Sequence, residues 1–287
     1  MSIEATDLTA RARECFLRAC ELDVTVRKPG NVSVASPGHR MRAEQFIASA
    51  QASAAALFDA GAPVGERIER AVAAAWAAVG CNTNLGIALL IAPLAAAAER
   101  PGALDSVAAL RHALDGVLAT LDIADARAAY RAIAMANPAG LGQAAEADVH
   151  SEPQIGLRDA MALASTRDLV ARQYANGFAD VFEALRRDVA SGFVLARASA
   201  ADVQRVYLGW LSRNPDSHIV RKHGAAVAHT VMTAAQAWAA HPMPDSAPAF
   251  AAWDESLKNA GVNPGTSADL TVATLWAAGM PAAWHGS

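Results

Sequence analysis

Runs of roughly ten to twenty residues at helical spacing, each cut short by glycine, proline or asparagine, decide what this chain can fold into. Leu8, Ala12, Cys15, Leu22 and Val26 form one apolar stripe, which Lys28-Pro29-Gly30-Asn31 ends. Pro29 pushes Lys28 out of helical geometry, and Gly30 permits a sharp change of direction. The apolar residues are mostly alanine: 53% of the chain is hydrophobic but only 6% aromatic. Alanine loses no side-chain entropy in a helix, whereas a β-sandwich or barrel needs the β-branched and aromatic residues that are scarce here. A charged fraction of 18% excludes intrinsic disorder. The expectation is an all-α protein, a single compact multi-helix domain of about a dozen helices over residues 1–287.

Helical patterns are expected over Ala43 to Asp59, Gly65 to Val79, Leu85 to Ala98, Asp105 to Leu121 and Ala124 to Ala136. They continue from Leu157 through Arg172 to about Ala190, then over Ser199 to Ser212, Ser217 to Ala239, Ala249 to Ala260 and Ala268 to Ala278. The segment from Asn31 to Arg40 is too rich in proline and glycine to be helical, and is either an ordered loop or a floppy one. Leu85 to Ala98 is the longest apolar stretch. It falls short of the about 20 residues that span a bilayer and contains Pro93, so it is expected to be a buried helix.

A net charge of −4 gives no reason to expect a nucleic-acid partner. Cys15, Cys20 and Cys81 have no C-x-x-C spacing and are expected to be reduced core residues of a cytoplasmic protein. The N-terminus carries no basic segment before an apolar run, so no signal peptide is expected. H-E-x-x-H, the P-loop, a dinucleotide-binding G-x-G-x-x-G and G-x-S-x-G are all missing.

Four polar elements interrupt the helices: Lys28 to Asn31, Asn82 to Asn84, Asn137 to Gly142 and Asn263 to Asp269. Three of them immediately precede a helix, whose N-terminus offers unpaired N–H groups and partial positive charge to a phosphate. Asparagine and threonine are also good N-caps, so each element taken alone reads equally as a cap. Arg213 and the run Arg221-Lys222-His223-Gly224 form the densest cationic cluster, suited to phosphate unless it is a solvated helix face. Among the acids, Asp148, Asp159, Asp168 and Asp269 stand out. Asp168, within the expected Leu157 to Ala190 helix, could hold Mg²⁺ or pair with Arg172 four residues on. Asp148 and His150 make a D-x-H, a weak signal on its own.

Together these segments resemble the triphosphoribosyl-dephospho-CoA synthase family, nearly end to end. The resemblance runs through E-L-D-V-T-V-R-K-P-G-N-V (Glu21 to Val32), G-H-R-M (Gly38 to Met41), F-I-A-S-A (Phe46 to Ala50) and N-T-N-L-G (Asn82 to Gly86). It continues in R-N-P-D-S-H-I-V-R-K-H-G (Arg213 to Gly224) and N-P-G-T-S-A-D-L-T-V-A (Asn263 to Ala273). Citrate-lyase-associated members are similar to N-T-H-K-G-A where this chain has Asn84-Leu85-Gly86, and to G-A-H-x-D-M where it has Gly38-His39-Arg40-Met41. With M-A-L-A-S-T-R-D-L-V-A-R-Q-Y (Met161 to Tyr174), the chain looks more like a branch found in archaea and methylotrophic bacteria. Genes of that branch often lie beside those of tetrahydromethanopterin- or methanofuran-linked one-carbon metabolism.

The resemblance implies transfer of the triphosphoribosyl group of ATP to a hydroxyl of 3'-dephospho-CoA, with release of adenine. It implies Mg²⁺ beside the nucleotide and a phosphorylated small-molecule partner, with no membrane and no nucleic acid. It leaves a homodimer open. On this reading Lys28, Arg221, Lys222 and the loop of Asn263, Gly265 and Thr266 hold phosphates, while Asn31, Asn82 and Asn84 orient the nucleotide. Asp148, Asp168 and Asp269 are the metal candidates, and either His223 or Asp168 is the base. The alternative is a protein of one-carbon cofactor biosynthesis that acts on, or only binds, another phosphorylated substrate.

Overall fold

The computed structural model describes residues 3–136, 152–241 and 244–281. Among these are fourteen α-helices, two short 3-10 helices and no strand longer than an isolated bridge. The first six are α1 (Ile3–Thr25), α2 (Ala43–Leu57), α3 (Val64–Val79), α4 (Leu85–Ala98), α5 (Val107–Ala119) and α6 (Ile123–Ala136). Three short helices follow: α7 (Leu157–Ala162), α8 (Leu169–Asn176) and α9 (Ala179–Asp188). The last five are α10 (Ala200–Arg213), α11 (Ser217–His223), α12 (Ala225–Ala239), α13 (Pro248–Asn259) and α14 (Gly265–Gly279). No described helix is long and apolar enough to cross a membrane.

Two helices carry the architecture. In α4 only Gly86 and Ala96 escape burial, and in α14 every residue from Thr266 to Ala278 is buried except Asp269. A helix that is apolar all round must be enclosed on every side. Accordingly α14 touches α1, α4, α8, α9, α10 and α11, and α4 touches α2, α3, α5, α6 and α8 as well. The threonines inside α14 are accommodated because Thr271 and Thr274 donate their hydroxyls to the carbonyls one turn back, at 2.7 and 2.8 Å. A large apolar core surrounds α4 and α14, and a smaller one lies among α10, α11, α12 and α13. Residues of α10 and α14 belong to both.

Several boundaries differ from the sequence expectation. The run from Leu157 to Ala190 is three helices rather than one. Asp168 has extended backbone and caps α8, accepting from the Val170 and Ala171 amides at 2.9 and 3.0 Å. Gly177 ends α8 in the left-handed conformation, where a Cβ would press on Asp115. Likewise Ser217 to Ala239 is divided at Gly224, whose φ is +87°. The expected element at Asn137 to Gly142 lies outside the described residues.

The segment from Arg27 to Met41 is ordered. Tyr207 donates its hydroxyl to the Pro29 carbonyl at 2.7 Å, and the Gln204 amide reaches the Arg27 carbonyl at 2.9 Å. The Gly30 amide donates to Asp254 at 2.9 Å, and Lys258 ties Asp254 to the Ser36 carbonyl. His39 and Arg40 both take positive φ in the tight turn closed by Gly38 and Met41, a conformation usually left to Asn-Gly pairs. Gly30, at φ +82°, lies so close to the loop before α14 that a Cβ would sit 2.8 Å from Pro264 Cδ.

Gly30→Ala is therefore expected to cost about 2 kcal/mol through backbone strain and overpacking. A urea midpoint that falls with an unchanged m-value is the outcome that checks it; an unaltered midpoint contradicts the packing.

Candidate active site

Where the N-termini of α4 and α14 meet, the helices enclose a cavity of about 540 Å³. That volume is typical of a small-molecule site. Its apolar lining includes Met41, Phe46 from α2, Tyr130 and Ile133 from α6, and Met161 from α7. Its polar lining has Asn31, Asn82, Asn84 and Asn263 alongside Asp23, Asp168 and Asp269, with Arg167, Arg221, His218 and Thr266. Gly86 and Gly265, in the first turns of the two helices, line it as well.

Most of the residues expected from sequence are brought together here. Asn31 donates to Asn263 at 2.9 Å, joining positions 232 residues apart. Asn84 caps α4 in position and donates its side-chain amide to Ser53 at 3.2 Å, while Asn82 accepts from the Leu85 amide at 3.3 Å. Thr266 accepts from the His218 amide at 3.2 Å.

Three cationic candidates stand elsewhere. Lys28 has no exposed surface and does not line the cavity. Its ammonium is 3.0 Å from Asp23, donates to Asn31 and lies 5.4 Å from the Tyr207 ring centre. It stands behind the wall and positions two residues that form it. Lys222 is exposed, with its ammonium 3.4 Å from the Gly261 carbonyl. His223 donates from Nε2 to the same carbonyl at 2.9 Å. These two are on the side of α11 that faces the loop before α14, whereas His218 and Arg221, three residues apart, share the face toward the cavity. Asp148 lies outside the described residues.

Asp168 does not pair with Arg172. One carboxylate oxygen caps α8, and the other accepts from Arg221. Arg172 turns instead to Asp180 at 2.7 Å and to Asn214 at 2.8 Å. The Asp269 carboxylate makes no hydrogen bond among the described residues, and it lies so close to Gly86 that any side chain there would collide with it.

Burial raises the Asp269 carboxyl well above its ordinary value, and the charges of Asp23, Asp216 and Asp168 add to the rise against Arg221. Burial also raises Asp23, with Lys28 opposing. Asp216 is raised by burial against the hydrogen bonds of Ser267 and Ile219. His218 is pushed down to about 4, first by burial and then by Arg221, Lys222, His39 and His223, so its imidazole is neutral at pH 7. No three His, Cys, Asp or Glu side chains converge as a metal site among the described residues. Asp23 and Asp269 are the carboxylates whose oxygens are least committed to protein donors.

Sequence reasoning missed Asp23, Arg167 and the cavity-facing role of His218. Asp23 carried a signal: an acid between Leu22 and Val24 on the buried side of α1. Arg167 is next to Asp168, and His218 is one helical turn before Arg221.

Fold and cavity define an all-helical protein with a cavity lined by the first turns of two helices. The chain belongs to the CitG family, ATP:dephospho-CoA triphosphoribosyl transferase, whose model matches residues 9–287. The family's members are transferases acting on ATP. A crystal structure from Archaeoglobus fulgidus, provisionally named a triphosphoribosyl-dephospho-CoA synthase, has a similar fold at a TM-score of 0.66 and 24% identity. The match covers 84% of this chain and 100% of that one. At that identity the likeness speaks for the fold alone. No curated protein matches the sequence significantly.

A raised carboxyl is a stability cost above its unfolded value, because the folded protein must ionise it against its surroundings. Asp269→Asn is therefore expected to stabilise the metal-free protein at pH 7 by about 1 kcal/mol. The gain should shrink as pH falls toward 4, where the native carboxyl is already protonated. Thermal midpoints of both proteins across this range check it, and a lower midpoint for the variant at pH 7 contradicts it.

Proposed function

We propose that this chain transfers the triphosphoribosyl group of ATP to a hydroxyl acceptor such as 3'-dephospho-CoA. The observation that carries the reading is the meeting of two helix N-termini, Asn84 to Gly86 and Pro264 to Thr266, at a cavity that also has an apolar lining. The first suits phosphates and the second suits a purine. In the reaction the acceptor oxygen bonds to C1' of the ATP ribose and the C1'–N9 bond breaks. The acceptor's proton is lost, adenine takes one up, and the triphosphate stays on the transferred sugar.

Arg221, Arg167 and the amides opening α4 and α14 hold the triphosphate. Phe46, Met41, Tyr130 and Ile133 pack around adenine. Asn31, Asn84 and Asn263 orient the ribose. Positive charge developing at C1' is stabilised by the carboxylates of the polar lining. Three carboxylates lining a pocket for a polyanion call for a divalent cation, and Mg²⁺ is commonly held by one or two carboxylates plus substrate phosphates. The donors fit: Asp269, whose carboxylate makes no hydrogen bond among the described residues, and Asp23 supply hard oxygen ligands. When bound, Mg²⁺ neutralises triphosphate charge and fixes its geometry. Three unpaired cysteines suit a reducing cytoplasm.

A second reading keeps the phosphate site but changes the acceptor or the reaction. It draws on Asn84-Leu85-Gly86 and Gly38-His39-Arg40-Met41, where the resemblance is to the branch associated with one-carbon cofactors.

Free adenine should appear when the protein is incubated with ATP, Mg²⁺ and dephospho-CoA. Arg221→Ala should raise the KM for ATP roughly 10- to 100-fold, the loss of a charge-assisted phosphate contact. Lys222→Ala should change it less than threefold. No adenine release, together with tight binding of a phosphorylated pterin or furan precursor, favours the second reading.

A further inference from the structure

The acceptor hydroxyl must lose a proton as its oxygen bonds to C1', and a group within hydrogen-bond reach must take it. Neither sequence candidate is placed to do so. His223 does not line the cavity, and both oxygens of Asp168 are engaged by α8 and Arg221.

His218 lines the cavity and makes no side-chain hydrogen bond among the described residues. Its place is nonetheless tightly set, because its backbone amide donates to Asp216 at 2.9 Å and to Thr266 at 3.2 Å. The imidazole stands over the first turn of α14. Its Nδ1 is 3.6 Å from the point a Cβ on Gly265 would occupy, and Asn263 Nδ2 and Oδ1 are 3.7 and 3.8 Å from that point. A one-atom gap thus exists above Gly265, bounded by an imidazole nitrogen and a side-chain amide. With its proton on Nε2, His218 presents the Nδ1 lone pair to this gap.

We propose that His218 is the catalytic base: the acceptor hydroxyl occupies the gap above Gly265, where Asn263 holds its oxygen and His218 Nδ1 receives its proton. This rests on the transferase reading above. As the C1'–O bond forms, the hydroxyl proton passes to His218, the C1'–N9 electron pair leaves with adenine, and solvent supplies the proton adenine gains. His218 then returns its proton to solvent, so no other reactant is needed.

The surrounding charges support the role. Burial first, and then Arg221, Lys222 and His223 on α11 and His39 from the Gly38 to Met41 turn, keep the ring neutral before substrate arrives, while Asp216 engages only backbone at this residue. A bound triphosphate offsets those cations, so the ring becomes a stronger base in the complex than in the free protein.

The test compares wild type, His218→Gln and Gly265→Ala in adenine release and in ATP binding measured by calorimetry. His218→Gln should lose 100-fold or more in kcat while binding ATP within threefold of wild type. Added imidazole should restore part of the activity of His218→Ala. Gly265→Ala fills the gap without a steric clash, so it should keep its thermal midpoint but lose at least tenfold in kcat. If His218→Gln keeps more than a third of wild-type kcat, or Gly265→Ala is unimpaired, the assignment to His218 is overturned while the transferase reading stands. If wild type itself releases no adenine with a hydroxyl acceptor, both are overturned.

Discussion

The carboxylate of Asp216 is the interaction on which the site's geometry depends. One oxygen accepts from the His218 and Ile219 amides at 2.9 and 3.1 Å, capping α11. The other accepts from the Ser267 amide and hydroxyl at 2.7 and 2.8 Å, holding the first turn of α14. A fully buried carboxylate is costly unless its lone pairs are satisfied, and here backbone and hydroxyl donors satisfy them. The result is a rigid link between two helix starts 51 residues apart in sequence. His218 and Arg221 project from one and Gly265 and Asp269 from the other, so their relative placement follows from this one side chain.

A second buried charge does the same for the opposite wall. Lys28 is enclosed between Asp23 and Asn31, and Asn31 passes the connection on to Asn263. An ion pair of this kind adds little net stability, since desolvation offsets most of the attraction. Its effect is directional: it keeps a carboxylate and an amide aimed at the cavity. Together Asp23, Asp168 and Asp269 concentrate negative charge in a pocket that also holds Arg221 and Arg167. That combination is unfavourable in the empty pocket, a cost in fold stability of the kind carried by groups placed for recognition rather than for packing.

The helical class was legible because alanine-rich segments with scarce aromatics leave few other solutions, and α4 could be read as buried from Leu85 to Ala98 alone. The polar loops were legible as well: Asn82 to Asn84 and Asn263 to Asp269 do meet at one site. What could not be read was direction. Lys28 and Arg221 look alike in sequence, yet one is enclosed and the other faces the cavity, because burial depends on how α10 and α13 close over the loop. Consecutive helical residues point about 100° apart, so Arg221 and Lys222 cannot share a role. Which of them faces inward depends on how α11 docks, and that docking is set by Asp216 from outside the basic cluster. The break at Asp168 was masked in another way: the apolar spacing of Met161, Leu169 and Val170 outweighed the capping signal of an aspartate before a helix.

The two walls of the cavity come from opposite ends of the chain. Asp23, Asn31 and Met41 belong to the first helix and the loop after it, while Asn263, Thr266 and Asp269 open the last one. No local segment can preform such a site, because the contacts that complete it, such as Asn31 against Asn263, join positions 232 residues apart. Gly30 against Pro264, and Asn31 against Asn263, serve both as core contacts closing the N-terminal loop onto α14 and as site contacts aligning the two walls. Folding of the core and assembly of the site are therefore the same event. That accounts for why so many of the buried polar groups lie within one layer of the cavity: the hydrogen bonds that make their burial tolerable are also the ones that hold the reactive groups in place.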